Sequence, residues 1–169
     1  MKKIAFFIAC MLFVALAANT VIAGKHGHQG HHCPAVGGPP VIDCQDLMGI
    51  FSYPDTVITD VLSKAEGDEC DSRGNCTYLP EHCIVKGYMN ERVSPVDGKT
   101  YAIGFEMRLP TDWNGRFFYQ GNGGVDGYVA PAYGNILGGG PTSNGLLKGF
   151  AVISSDAGHP TRSADFGVD

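Results

Sequence analysis

The stretch Arg116-Phe117-Phe118-Tyr119-Gln120-Gly121-Asn122-Gly123-Gly124 decides the fold prediction, because an apolar run leads directly into a glycine-rich loop. A short, continuous apolar run of this kind is typical of a strand that is covered on both faces of a parallel sheet. A second run, Phe150-Ala151-Val152-Ile153-Ser154, follows it, and we predict a helix over 143–148 between the two. Two such strands joined by a helical crossover predict an α/β fold.

The chain upstream of this unit predicts an antiparallel hairpin. Residues 101–109 alternate strictly, which predicts a half-exposed strand with Glu106 and Arg108 on its polar face. Residues 84–88 are the expected partner, across a turn that contains Asp97-Gly98. We also expect a short helix over 44–48, a strand over 56–62 and an exposed charged loop over 66–75. Since only one crossover is present, the predicted α/β sheet is incomplete.

The N-terminal region predicts export. Lys2 and Lys3 precede an apolar run over 4–18, so residues 1–23 are predicted to be a signal peptide and the protein to be secreted or periplasmic. This run is too short for a membrane span. Residues 24–40, rich in Gly, His and Pro, predict a flexible leader before a domain over 41–169. The leader's histidines could capture a transition metal, although a solvated tail is the favoured interpretation: His26, His28, His31, His32.

Composition and cysteine use narrow the class of protein further. The 169 residues carry a net charge of -5 with no cluster of basic residues, which argues against nucleic-acid binding. Export favours disulfides for the cysteines that follow the signal segment, and no C-x-x-C pair suggests a metal site. Cys70 and Cys76 could close the charged loop, and an odd cysteine total predicts a free thiol or a partner in a missing stretch of chain. The five cysteines are Cys33, Cys44, Cys70, Cys76 and Cys83.

The glycine loop, Gly121 to Gly124, is the strongest candidate for a functional site. It follows a buried strand, and α/β folds bind ligands at the carboxyl ends of their strands. Its backbone N–H groups suit a phosphate cradle or an oxyanion hole. The loop opens no helix and lacks a Gly-Lys-Ser/Thr run, so an oxyanion loop fits better than a nucleotide site. A surface turn without chemistry is the alternative.

The second candidate segment, Ser154-Ser155-Asp156-Ala157-Gly158-His159, ends the next predicted strand and combines the three residue types of a hydrolytic triad. Residues this close in sequence rarely reach the required geometry, and neither serine lies in a G-x-S-x-G turn. We therefore predict that the catalytic triad is absent from this sequence.

These segments, taken together, carry a family resemblance. The runs Leu79-Pro80-Glu81-His82-Cys83, residues 109–118, the glycine loop and residues 149–159 resemble tannases, feruloyl esterases and mono(2-hydroxyethyl) terephthalate hydrolase-like enzymes. The resemblance extends over roughly residues 44–169, in the family's order and spacing. Agreement among several separated motifs is far more specific than any single one.

The resemblance implies the N-terminal portion of an α/β-hydrolase, with a large lid and a Ser-Asp-His triad that would lie beyond Asp169. It implies a disulfide between Cys44 and Cys83 and assigns the glycine loop to the oxyanion loop. It implies that His159 and Asp156 orient this loop without contacting the substrate, and that His159 is not the catalytic base. Family members often carry a calcium ion in the lid, whose ligands would also lie beyond this sequence, so no cofactor or metal is expected here.

The functional hypothesis that follows is a secreted serine esterase for small esters of aromatic acids, of the gallate, ferulate or terephthalate type. This sequence is expected to be an N-terminal fragment that is inactive alone. The alternative is a non-catalytic secreted binding protein derived from the front half of the hydrolase.

Overall fold

The computed structural model describes residues 36–123, 126–135 and 144–159. Its strands are β1 (Thr56–Lys64), β2 (Gly67–Cys70), β3 (Cys76–Leu79), β4 (His82–Val93), β5 (Thr100–Pro110), β6 (Phe117–Gln120) and β7 (Ala151–Ser155). Five of them form a mixed sheet in the order β1-β4-β5-β7-β6, and β2 and β3 form a separate hairpin. The helical segments in the described ranges are short: a 3-10 turn (Cys44–Asp46), α1 (Leu47–Ile50) and a second 3-10 turn (Leu146–Lys148). The architecture is rich in strands and compatible with part of an α/β fold.

The antiparallel hairpin predicted from the alternating run is confirmed. Strands β4 and β5 pair from His82 opposite Pro110 to Val93 opposite Thr100, with an irregularity between Met89 and Arg92. Strand β1 adds to the other side of β4, also antiparallel. The strands are longer than predicted, because backbone pairing continues past the residues whose side chains alternate clearly.

The parallel pair is confirmed, but β6 is not covered on both faces as its continuous apolar run predicted, because Phe117 is 59% exposed and Tyr119 is 56% exposed. Strands β6 and β7 run parallel, and β7 lies between β6 and β5, to which it is antiparallel. The crossover helix predicted over 143–148 is wrong where the structure describes it: residues 144–148 contain a 3-10 turn, Leu146–Lys148, and Ser143 lies outside the described residues. Gly145 begins that turn and Gly149, in the left-handed region at φ +79°, ends it, so the helix cannot continue.

The charged segment over 66–75 is largely exposed, as predicted, but residues 67–70 are a strand and not part of a loop. It contributes β2, which pairs with β3 from Gly67 opposite Leu79 to Cys70 opposite Cys76. The expected disulfide between Cys70 and Cys76 closes the hairpin. Asp71 organises the turn, since one of its carboxylate oxygens accepts hydrogen bonds from the backbone N–H groups of Arg73 and Asn75. Charged residues therefore stabilise a defined turn here.

One face of the main sheet packs against the N-terminal helical segment. The disulfide between Cys44 and Cys83, implied by the family resemblance, is present and joins this segment to β4, with a Cα–Cα distance of 5.6 Å. The core between this segment and the sheet contains Val61, Cys83 and Val85. Partly buried residues pack around them: Cys44, Leu47, Ile58, Met107, Leu109. Within the segment predicted as a leader, Gly38 donates a backbone hydrogen bond to the carbonyl of Trp113.

The opposite face of the sheet holds a second core and one clear correction. Leu79, Ala132, Leu146 and Val152 form this core between β3, the crossover and β7. The polar face of β5, predicted to be exposed, is buried: Glu106 is 6% exposed and Arg108 is 2% exposed. Alternation identifies two faces of a strand, but the β2–β3 hairpin and the crossover cover the polar one. None of the helices in the described ranges is long and apolar enough to cross a membrane.

Candidate functional site

The glycine loop and the end of β7 lie side by side, as the sequence predicted. Gln120, the last residue of β6, pairs with Ser154 in β7, so both strands deliver their carboxyl ends to the same edge of the sheet. Gly121 and Gly123 are exposed there, and Gly124 lies outside the described residues. This edge is where open α/β sheets bind ligands.

Two backbone N–H groups of the glycine loop are available as hydrogen-bond donors. Within the described ranges, no acceptor receives a hydrogen bond from the backbone N–H of Gly121 or Gly123. Gly123 has φ +78°, a left-handed conformation that side chains disfavour, and a Cβ added to either glycine would meet no atom within 4 Å. The loop can therefore approach a ligand closely and present N–H donors to it.

Asn122, between these two glycines, turns its side chain toward the protein. Its amide nitrogen donates hydrogen bonds to the carbonyl oxygens of Ser155, at 2.8 Å, and Tyr128, at 3.2 Å. Its amide oxygen accepts from the Ser154 hydroxyl, at 3.1 Å, and from Gln120 Nε2, at 3.2 Å. Asn122 thus ties the loop to both strands.

The two serines that end β7 are engaged in structural contacts. Ser154 is completely buried, and its hydroxyl donates to Asn122. The hydroxyl of Ser155, which is 9% exposed, lies 3.0 Å from the Tyr119 hydroxyl and accepts a hydrogen bond from the N–H of Ala157. Both hydroxyl groups are therefore engaged in contacts within the protein.

Asp156 and His159 lie in the turn that follows β7. One oxygen of the buried Asp156 carboxylate accepts hydrogen bonds from the N–H groups of Gly104, at 3.0 Å, and Gly158, at 2.9 Å. The backbone N–H of His159 donates to the carbonyl of Asp156. A Cβ on Gly104 would lie 2.8 Å from the other carboxylate oxygen, which explains the glycine at this position. Asp156 therefore organises the turn, and the orienting role predicted for His159 stays a prediction.

Sequence reasoning missed a buried charge cluster beneath the β2–β3 hairpin. Arg108 donates from Nε to Glu106, at 2.7 Å, and from both terminal nitrogens to Glu69, at 2.9 and 3.1 Å. The guanidinium also lies 4.6 Å from the centre of the Tyr133 ring. Opposite charges two positions apart on one strand face were a signal that could have revealed this pairing.

Proton positions within this cluster follow from its contacts. The hydrogen bonds from Arg108 lower the pKa of Glu69 from 4.5 to about 2, against the effect of burial. Burial, then the hydrogen bond to Glu69, raises the pKa of Tyr133. Burial lowers the pKa of His82. Because the Pro80 carbonyl can only accept and the Arg108 guanidinium can only donate, Nδ1 donates to Pro80, at 2.6 Å, and Nε2 accepts from Arg108, at 3.1 Å.

The charge cluster also holds the crossover downstream of the glycine loop. Glu106 accepts a hydrogen bond from the backbone N–H of Ala132, at 3.0 Å, and the hydroxyl of Tyr133 donates to Glu69, at 2.7 Å. Gln120 accepts from the N–H of Gly134, at 2.8 Å. Side chains from β2, β5 and β6 thus fix three consecutive crossover residues.

The described structure also has cavities away from the glycine loop, and one of about 640 Å³ is lined by residues between Pro40 and Ile50. A cavity of about 370 Å³ is lined by Cys44, Leu47, Cys83 and Pro110, among others. Pro110, which lines this cavity, ends β5, and the end of β5 lies beside the start of β7, since Arg108 pairs with Val152. The glycine loop lies beside the end of β7, so the cavity is at the opposite end of the sheet. The described residues contain no group of three or more His, Cys, Asp or Glu side chains that could hold a metal ion.

A strand-rich mixed sheet with a glycine loop at the carboxyl end of its parallel strands is compatible with part of an α/β fold. The chain belongs to the tannase and feruloyl esterase family, whose model matches residues 83–169, just over half of the sequence. The family consists of carboxylic-ester hydrolases. The matched region begins at Cys83 and includes β5, β6, β7 and the glycine loop.

Individual relatives agree with this membership. The chain is 41% identical to mono(2-hydroxyethyl) terephthalate hydrolase of Piscinibacter sakaiensis over 115 residues, which are 68% of this chain and 19% of that protein. It is 40% identical over 106 residues to a probable feruloyl esterase B-2 of Aspergillus flavus, covering 62% of this chain and 18% of the relative. An uncharacterized esterase of Agrobacterium fabrum is 34% identical over 86 residues, 50% of this chain and 15% of that protein. The chain spans less than a fifth of the length of these curated relatives.

Proposed function

We propose that this protein is a secreted serine esterase that hydrolyses small esters of aromatic acids, and that its glycine loop supplies an oxyanion donor. Family membership supports ester hydrolysis, and the terephthalate and feruloyl substrates in the names of two relatives support an aromatic acid. The two disulfides, Cys44–Cys83 and Cys70–Cys76, support an oxidising compartment outside the cytoplasm.

The observation that carries the proposal is the pair of exposed glycines at the carboxyl edge of the sheet. When a nucleophile attacks an ester carbonyl, negative charge develops on its oxygen, and fixed N–H donors stabilise that charge. In α/β-hydrolases one such donor comes from the loop after the third strand of the sheet. Gly121 and Gly123 follow β6, the first strand after the β4–β5 hairpin, and they lie in the family-matched region.

The proposed nucleophile and base are residues outside the described ranges. Ser154 is buried and bound to Asn122, and Ser155 is bound to Tyr119, so a hydrolytic serine at either position would first have to abandon its structural contacts. The described part of the chain therefore contributes oxyanion stabilisation and support for the sheet. The nucleophile that attacks the ester carbonyl and the base that accepts its proton act together with this loop.

The reaction class and the nucleophile can be tested together. The product of the whole reading frame is assayed with methyl gallate, methyl ferulate and a terephthalate monoester, and is then labelled with a fluorophosphonate and mapped by peptide mass spectrometry. We expect hydrolysis of at least one ester and a label on a serine other than Ser154 or Ser155. Residues 24–169 alone are expected to hydrolyse none of the three above the uncatalysed blank. Label on Ser154 or Ser155, or no hydrolysis by the whole product, would contradict the proposal.

Replacing Gly123 by valine tests the oxyanion role. The residue has φ +78°, where a side chain costs about 1–2 kcal/mol, so valine should move the loop out of its present conformation. Loss of one oxyanion donor costs roughly 3 kcal/mol of transition-state stabilisation. We expect Gly123→Val to lower kcat on the order of a hundredfold for any ester that the wild type hydrolyses.

The matched control for this change is Gly98→Val in the turn between β4 and β5. Gly98 has φ +72°, is exposed and, like Gly123, has no atom within 4 Å of an added Cβ. The two variants therefore introduce the same backbone strain at different places. Gly98→Val should keep wild-type kcat, and equal kcat values for the two variants would remove the glycine loop from the mechanism.

A further inference from the structure

We propose that Asn122 is the positioning residue of the oxyanion loop: its carboxamide holds the Gly121–Gly123 backbone in one place against the ends of β6 and β7. This inference rests on the proposed function, because it assigns the residue that keeps the N–H donors of that loop in register with the substrate carbonyl. Asn122 is not itself a donor to the substrate. Its action is on the backbone that carries the donors.

The carboxamide of Asn122 uses its complete hydrogen-bonding capacity inside the protein. An asparagine side chain has two N–H donors and an oxygen with two lone pairs. Both donors are taken by carbonyl oxygens, those of Ser155 and Tyr128, and both lone pairs are taken by donors, the Ser154 hydroxyl and Gln120 Nε2. No hydrogen-bonding position remains for a ligand, so the side chain acts on the loop alone.

The four contacts also fix the orientation of the amide. Turning the Asn122 amide over would place its oxygen against the two carbonyl oxygens and its N–H groups against Gln120 Nε2, where donor would face donor. The observed orientation is therefore the only one that satisfies every partner. A residue of similar size without both kinds of group cannot reproduce this arrangement.

Among the described residues the backbone of the loop has a further restraint in the hydrogen bond from the N–H of Asp126 to the carbonyl of Gly123, which is long at 3.4 Å. Gly121 and Gly123 are exposed, lack side chains, and have no atom within 4 Å of where a Cβ would lie. Glycine backbones have access to more conformations than any other residue. A displacement of about 1 Å in a group that contacts the transition state can reduce the rate about a hundredfold. Asn122 is the side chain that converts this permissive segment into a fixed one.

Asn114 provides a matched control at the opposite end of β6. It is half-buried like Asn122, and its carboxamide also joins the flank of β6 to the chain before β7, with Nδ2 donating to Lys148 O, at 2.7 Å, and Oδ1 accepting from Arg116 N–H, at 2.9 Å. The same substitution at both positions removes an asparagine that bridges equivalent elements. Only the substitution at Asn122 is next to the proposed oxyanion donors.

The experiment compares Asn122→Leu, Asn114→Leu and wild type in the whole protein. Thermal unfolding gives stability, steady-state kinetics with the best aromatic ester give kcat and KM, and inhibition by an aryl boronic acid reports affinity for a tetrahedral transition-state mimic. We expect Asn122→Leu to lower kcat about 30- to 100-fold with KM within about twofold of wild type. Its affinity for the boronic acid should fall in parallel, while its affinity for the free aromatic acid stays unchanged. Asn114→Leu should lower the Tm to a similar degree and leave kcat unchanged.

Ser154→Ala extends the test in case Asn122→Leu fails to fold. It removes one of the four contacts, so we expect a smaller fall in kcat, about three- to tenfold, again without a change in KM. Wild-type kcat in Ser154→Ala and Asn122→Leu, or equal losses of kcat in Asn114→Leu and Asn122→Leu, would overturn the positioning role while leaving the esterase proposal intact. A wild-type protein that hydrolyses no ester would instead remove the proposed function and this role with it.

Discussion

Replacing Arg108 by methionine removes the centre of the buried charge cluster while keeping much of the side chain's apolar stem. The guanidinium bridges three elements: it donates to Glu106 on its own strand, to Glu69 on the β2–β3 hairpin, and lies against the ring of Tyr133 on the crossover. Without it, the hairpin loses its two charged hydrogen bonds to the sheet. Glu106 is left buried, with Lys86 Nζ at 3.7 Å and the N–H of Ala132 as its remaining partners.

The expected loss follows from Glu106, which keeps Lys86 as a cationic partner at 3.7 Å but loses the closer guanidinium of Arg108 at 2.7 Å. Removing one partner of a buried ion pair costs about 3–5 kcal/mol, mainly because the other charge stays buried without compensation. Glu106 is 6% exposed and so falls in this class, whereas Glu69, whose side chain is 29% exposed, can recover part of its hydration. We therefore expect Arg108→Met to lower the free energy of unfolding by about 3–5 kcal/mol, a large share of the 5–15 kcal/mol typical of a domain.

The assay is urea unfolding followed by the fluorescence of the single tryptophan, Trp113. Arg92→Met is the control, because Arg92 lies 5.2 Å from the centre of the Tyr101 ring but is exposed, and it should cost less than about 1 kcal/mol. Adding Glu106→Gln to Arg108→Met should restore part of the loss by removing the buried charge. If Arg108→Met costs no more than Arg92→Met, the cluster does not hold the hairpin and crossover to the sheet.

Two further outcomes concern the disulfides and pH. Replacing both cysteines of Cys44–Cys83, 39 positions apart, should cost about 4 kcal/mol, against about 2 kcal/mol for Cys70–Cys76, 6 apart, because the longer loop restricts the unfolded chain more; urea midpoints in the reverse order would refute this. Glu69 has a pKa of about 2 when folded against an ordinary 4.5, so its stabilising effect is complete above about pH 4.5 and is lost as the pH falls toward 2. The excess stability of wild type over Glu69→Gln should therefore shrink between pH 5 and pH 2, and a constant difference over that range would contradict the pairing.

The candidate site could be located from the sequence because its signals are local. An apolar run followed by glycines marks the end of a strand, and strand ends that run parallel must meet at one edge of the sheet. The structure places the Gly121–Gly123 loop beside Ser154 in agreement with this reasoning. What Asn122 does there was not visible, because its four partners lie on β6, at the end of β7 and in the loop that returns from Tyr128.

The burial of the charged residues on β5 also could not be predicted from the sequence. Alternation over 101–109 established two faces of a strand and made the face with Glu106 and Arg108 polar. Exposure was a reasonable inference, because charged residues are rarely buried unless they are paired. The pairing partner, Glu69, is 39 positions away on a segment whose charge suggested a loop. Only the folded hairpin brings the carboxylate within reach of the guanidinium.

Elements that depend on neighbouring residues could be predicted from the sequence: the β4–β5 hairpin and the parallel pair with its glycine loop. The sequence also carried the family resemblance that implied the Cys44–Cys83 disulfide. Periodicity, turn chemistry and motif spacing encode these over a few tens of residues. Three features became visible only in the folded chain. Strand β7 inserts between β5 and β6, the polar face of β5 is covered, and the hydrogen-bonding groups of the Asn122 side chain all have partners within the protein. Those features depend on contacts between segments far apart in the chain, where a side chain's partner is set by the packing of whole elements and not by its neighbours in sequence.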